Sequence, residues 1–153
     1  MTQRLDLFTT APDLMKPMLA MEETIKSSGL EHSLIELVKL RTSQINGCAF
    51  CIHMHTHDAR ANGESEDRMH LLNAWRESSL YTDRERAALA WTESLTRIER
   101  TAAPQSDYDA VATHFSPREQ VALTLAITTI NAWNRLAIGF AIPHPVAQEA
   151  NAA

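Results

Sequence analysis

A chain of 153 residues with 44% hydrophobic side chains is long enough to bury one core, and a formal net charge of −5 with no basic run argues against a nucleic-acid partner. The opening stretch MTQRLDLFTTAPDLMKPM lacks the charged-then-apolar order of a signal peptide. The most apolar segment, VALTLAITTINAWNRLAIGFAI, is interrupted by Asn131, Asn134 and Arg135, which argues against a membrane span; one domain over residues 1–153 and a cytoplasmic location are expected.

The chain has only four glycines and no alternating strand pattern, so an all-α fold is expected. The first helix, over Asp13–Ser28, is interrupted near Pro17 and ended by Ser28-Gly29-Leu30. A second helix covers Ser33–Ile45, with Ser33 as cap and Glu36 at capping-box spacing; Leu34, Leu37, Val38 and Ile45 form its core stripe. Asn46-Gly47 breaks the chain, and a third helix, capped by Asn46, runs to about Ala61 before Asn62-Gly63. A fourth covers about Glu66 to Trp75. A fifth runs from Tyr81 to Arg100 with Thr82 and Glu85 as a capping box, and Pro104 closes that region. Gln105–Phe115 is a short helix. The last opens with Ser116 as cap, Pro117 at the first helical position and Glu119 completing a box; the alanine-rich tail after Pro143 is expected to fray. Ser33-x-x-Glu36 and Ser116-x-x-Glu119 echo each other, each leading an apolar run to Ile-Asn; two capped helices account for this, with an ancient duplication as the alternative.

The chemistry concentrates in NGCAFCIHMHTHDAR, Asn46–Arg60, which holds both cysteines and three of the seven histidines. At about 100° per residue, Cys48, Cys51 and His55 fall within roughly 60° of one another, while His53 and His57 point the opposite way. A thiolate is the reactive form of cysteine, a helix N-terminus favours it, and an imidazole one turn along can take its proton. One thiolate can be oxidised to sulfenic acid and the second thiol can condense with it to a disulfide. If the two helices fold back around Asn46-Gly47, Glu36 comes level with Thr56, near His55, where a carboxylate could orient the imidazole and raise its basicity.

Glu36, eleven residues, then Cys48-x-x-Cys51-x-x-x-His55 resembles the core motif of the alkyl hydroperoxidase D-like (AhpD-like) proteins of the carboxymuconolactone decarboxylase superfamily. LLNAWRESSLYTDRERAALAWTESLT and LAITTINAWNRLAIGFAIP resemble the peroxidase-related branch, so the likeness spans about Ser33 to Pro143. The resemblance implies an all-helical bundle with the Cys-x-x-Cys at a helix N-terminus after a hairpin turn. It also implies a homo-oligomer (dimer, trimer or hexamer) and a thiol-dependent hydroperoxide reductase without cofactor or metal. On that likeness Cys51 attacks the hydroperoxide, Cys48 donates a proton and resolves the sulfenic acid, and Glu36 and His55 relay protons. An external dithiol, a lipoylated protein in the best-known members, then reduces the disulfide. This chain departs from the family in carrying Phe50 where those members place a further histidine between the cysteines, which makes a weaker peroxidase or a different substrate an open alternative.

Other readings stay open on the sequence. The same fold could serve as a redox sensor or disulfide-exchange protein. Cys48, Cys51 and His55 could supply three zinc ligands of a metal-binding helical oligomer, although no second ligand pair accompanies them. His53 and His57 fit a solvated surface better than a metal pair, and His70 and His114 read as surface residues. Trp75, Trp91 and Trp133 read as packing or interface anchors, and Glu93 is compatible with lining a pocket but is not assigned to the site.

Overall fold

The computed structural model describes residues 2–145 as an assembly of helices, with no strand among the described residues. Two helices lead, α1 (Leu7–Thr10) and α2 (Pro12–Lys26), then the hairpin of α3 (His32–Asn46) and α4 (Ala49–Ala61). Next come α5 (Glu66–Leu71) with a 3₁₀ turn over Leu72–Ala74, α6 (Asp83–Thr96), α7 (Ile98–Thr101), α8 (Gln105–His114) and α9 (Pro117–Gly139).

The central element is α3, which packs on α4, α6 and α9 at once. Every residue from Leu34 to Ser43 is buried, including Glu36, Lys39 and Arg41. The expected stripe of Leu34, Leu37 and Val38 is therefore part of a helix covered all round, and Ile45 is only half-buried. On one side Ile35 and Val38 join Trp91, Leu123 and Ile127 in one apolar cluster; on the other Leu37 and Leu40 join Leu72, Trp75 and Leu89. α9 is long and apolar enough by composition to cross a bilayer. Its buried face is spent instead on α3, α6 and α2, and it carries Asn131 and Asn134 into the interior.

Two capping boxes form as their sequences predict: Thr82 with Glu85 on α6, and Ser116 with Glu119 on α9. The third does not. Ser33 lies inside the first turn of α3, whose cap is Glu31 without a side-chain bond, and Glu36 turns inward to another partner. The internal echo therefore ends at spacing. Pro17 does not interrupt α2, which runs through it. The ring removes one backbone donor on an exposed face, where water can satisfy the freed carbonyl. The Tyr81–Arg100 region divides at Arg97 into α6 and α7, and the helix expected to reach Trp75 tightens to a 3₁₀ turn after Leu71. The fraying expected of the alanine-rich tail after Pro143 falls mostly on residues outside those described.

Candidate active site

The turn between α3 and α4 sets the site. Asn46 ends α3 rather than capping α4, and Gly47 at φ 69° takes the left-handed position that closes α3. The chain then enters α4 through Cys48 as N-cap: its sulfur accepts from the Cys51 backbone N–H at 3.3 Å. Asn46 anchors the turn instead. Its amide donates to Asn134 Oδ1 at 2.8 Å and to Asn131 Oδ1 at 3.0 Å, and Asn134 Nδ2 reaches Ser43 Oγ at 3.1 Å.

Cys48 and Cys51 are joined as a disulfide. Both are shut from water, at 1% and 2% exposure, in a small cluster with Ile130 and Ala137. One turn after Cys51, His55 is buried, with Nδ1 2.8 Å from Glu36 Oε2. The structure thus brings together all four residues singled out from the sequence, Glu36, Cys48, Cys51 and His55. A carboxylate only accepts, so a neutral imidazole paired with it carries its proton on Nδ1 and leaves Nε2 as the free base. His55 Nε2 is a buried nitrogen without a hydrogen-bond partner among the described residues. Such an atom is costly in a finished core and is expected where a reacting group or water is to be met.

A cavity of about 820 Å³ opens on this group. Cys51 and His55 lie in its wall among Phe8, Leu19, Met54 and Trp133, and Phe50 stands where the resemblance would place a histidine. The N-terminal helices α1 and α2 supply the far side, a contribution the sequence did not signal. It also did not signal Lys39 and Glu22, which form an ion pair in the same wall with 3% and 16% of their side chains exposed. A lysine inside the apolar run of α3 was the available signal. Asp58, one turn beyond His55, is a further lining residue.

The zinc set conceived from sequence, Cys48, Cys51 and His55, is altered by the disulfide, which leaves neither sulfur a free thiolate. The donors that do gather are Glu36, His55 and Asp58, with one ligand atom each within 4.8 Å of the others. His53 and His57 are both exposed, as their opposite facing requires, and so are His70 and His114. Trp75 and Trp91 pack in the core, each with its indole N–H bonded, to Glu93 and Thr124. Glu93 is a structural hub rather than a pocket residue, taking bonds from Arg41, Trp75 and Arg76. Burial pushes its carboxyl up, but the bonds from Trp75 and Arg41 outweigh that and hold it below its ordinary value.

A helical hairpin that carries a paired Cys-x-x-Cys at the head of its second arm, with a buried carboxylate–imidazole pair one turn on, defines an AhpD-like fold. Residues 12–94 match the carboxymuconolactone decarboxylase family, and the chain belongs to it. It is 44% identical over 138 residues to the uncharacterized protein YdfG of Bacillus subtilis, covering 90% of this chain and 94% of that one. Among solved structures it superposes on ATU0492 of Agrobacterium tumefaciens with a TM-score of 0.92 and 46% identity, covering 95% and 99% of the two chains. That protein is described as of unknown function and provisionally as the antioxidant defence protein AhpD. A peroxidase-related protein from Silicibacter shares the fold, with a TM-score of 0.78 at 21% identity over 88% of this chain and 72% of that one.

Proposed function

We propose that the protein is a thiol-dependent hydroperoxide reductase. The observation that carries this reading is the free, buried Nε2 of His55, held by Glu36 through the other ring nitrogen, in the same cavity wall as Cys51. In the reduced protein His55 takes the Cys51 proton. The thiolate attacks the terminal oxygen of the hydroperoxide, the O–O bond breaks, and the alkoxide leaves as alcohol with a proton returned from the relay. Cys51 is then a sulfenic acid. Cys48 displaces its hydroxyl as water and forms the disulfide. A dithiol donor, by the family likeness a lipoylated protein, reduces it. Attack on the cavity-facing sulfur of Cys51 releases Cys48 as thiolate, which the Cys51 N–H at the helix N-terminus stabilises. By the family likeness the reading includes a homo-oligomer; Leu14, Val121 and Ile138 are exposed apolar side chains on α2 and α9.

The test is mass spectrometry of the reduced protein after one equivalent of an organic hydroperoxide, with turnover followed against a dithiol donor. The expected product is a loss of two hydrogens mapped to Cys48–Cys51. Cys51→Ser removes turnover, and Cys48→Ser accumulates a dimedone-reactive sulfenic acid at Cys51. Undiminished turnover in the double serine variant would overturn the reading.

A further inference from the structure

The hairpin has a second rung. Glu36 meets His55 across it, and the two helices run in opposite directions from the turn. Moving toward the turn, Lys39 lies three residues from Glu36 on α3, about 4.5 Å along the axis, and Cys51 lies four residues from His55 on α4, about 6 Å along. The backbone positions of Lys39 and Cys51 are therefore about level. Both line the cavity, and so does Glu22 on α2, the partner of Lys39.

The charge around Cys51 can be taken wall by wall. The N-terminal side brings Asp6, Glu22, Glu23 and Lys26; α3 brings Glu36 and Lys39. α4 brings His55 and Asp58, while α9 offers Trp133 and Ala137. Lys26 has half its side chain in water and pairs with Glu23 at 3.3 Å. Lys39 is the cation of this wall that is shut from water, with 3% exposure. An ammonium has three donors, and Glu22 is its one side-chain acceptor among the described residues. A buried cation on the same rung as a reacting thiol acts through a low dielectric, where its field is weakly screened.

We propose that Lys39 is a positioning residue for charge: its ammonium stabilises the Cys51 thiolate, and Glu22 limits how strongly it does so. The inference rests on Cys51 being the reacting thiol, as proposed above, but it extends to a pair that the Glu–Cys–Cys–His motif does not contain. It separates from a purely structural role by sign. If Lys39 and Glu22 only clamp α3 to α2, removing either partner loosens the same contact and moves the site the same way. If their charges act on Cys51, removing the cation and removing the anion move it in opposite directions.

The experiment follows alkylation of Cys51 by iodoacetamide, an uncharged reagent that the lysine does not attract, as a function of pH. It uses the reduced full-length chain in a Cys48→Ser background. Lys39→Met should slow alkylation at neutral pH on the order of tenfold and move the profile to higher pH. Glu22→Gln should speed it and move the profile to lower pH, and Lys39→Arg should stay within about threefold of the parent. Thermal midpoints measured alongside identify an unfolded variant; should Lys39→Met fail to fold, the direction of the Glu22→Gln shift decides. Shifts of the same sign in Lys39→Met and Glu22→Gln, or a Glu22→Gln profile that does not move, overturn the proposal. No hydroperoxide enters this assay, so a protein inert to peroxide could still pass it.

Discussion

Glu36→Gln is the substitution that asks most of the proposed relay. It keeps the shape of the side chain and removes its charge. The Glu36–His55 contact is 2.8 Å long, and the two side chains are 7% and 5% exposed. A hydrogen bond to a charged group in such a place is worth about 1.5–3 kcal/mol. An amide can also donate to His55 Nδ1 as readily as it accepts, so the ring is no longer held with Nε2 free. If that whole difference falls on the step in which His55 takes the Cys51 proton, the rate falls roughly 10- to 150-fold. Stability should change far less, because the amide still pairs with the ring in one of its two orientations. The assay is kcat/KM for an organic hydroperoxide with saturating dithiol, set beside the denaturation midpoint. A variant within threefold of the parent in kcat/KM would remove the relay from the mechanism. A loss of activity matched by loss of fold would show that Glu36 is structural.

Three further expectations follow from the framework around the site. Asn134 is fully buried and joins Asn46 to Ser43, so Asn134→Ala takes one hydrogen bond from each, leaves their bonds to Asn131 and to the Lys39 carbonyl, and should cost about 1–3 kcal/mol in denaturant unfolding. Gly47 has open space where a Cβ would stand but a φ of 69°, so Gly47→Ala should cost about 1 kcal/mol through the backbone alone, and Gly47→Asn less. The Glu119 carboxyl is held at about 2, first by the Ser116 side chain and then by the Ser116 backbone and Arg84. A depressed carboxylate stabilises the fold above its ordinary value and loses that contribution as pH falls toward the folded value. Glu119→Gln should therefore flatten the drop in thermal midpoint between about pH 4.5 and pH 2, and an unchanged acid limb would count against the box as a source of stability.

What the sequence disclosed divides by range. Thr82 with Glu85 and Ser116 with Glu119 were legible because a capping box is complete within four residues and needs nothing from elsewhere. Ser33 with Glu36 has the same spacing and fails, because His55 competes for the carboxylate from the next helix. The cysteine–histidine stripe was legible as well, since helical pitch alone puts Cys48, Cys51 and His55 on one side. Lys39 and Arg41 were not. In the sequence they look like the polar face of an amphipathic helix, yet α3 is covered on every side, and each finds a carboxylate from another helix, Glu22 on the preceding α2 and Glu93 on the remote α6. A lysine inside an apolar run is a local mark of burial, but nothing local names the carboxylate that meets it from another helix. The cavity was hidden for the same reason, because its far wall comes from α1 and α2.

The register of one turn carries the whole arrangement. Because Gly47 lets α3 close and Cys48 begins α4 at once, the distance from the turn to each rung is fixed by residue count alone. Glu36 reaches His55 across one rung, and the next brings Lys39 level with Cys51. A slip of a single residue on either arm rotates a side chain by about 100°, which would carry a charge from the cavity into the core. The Asn46, Asn131 and Asn134 cluster is what resists that slip, since it ties the turn to α9 by hydrogen bonds that only one register can make. Polar groups placed in the interior of an otherwise apolar helix thus have a physical reason here: they give up some burial energy on α9 and fix where the thiols stand relative to the groups that act on them.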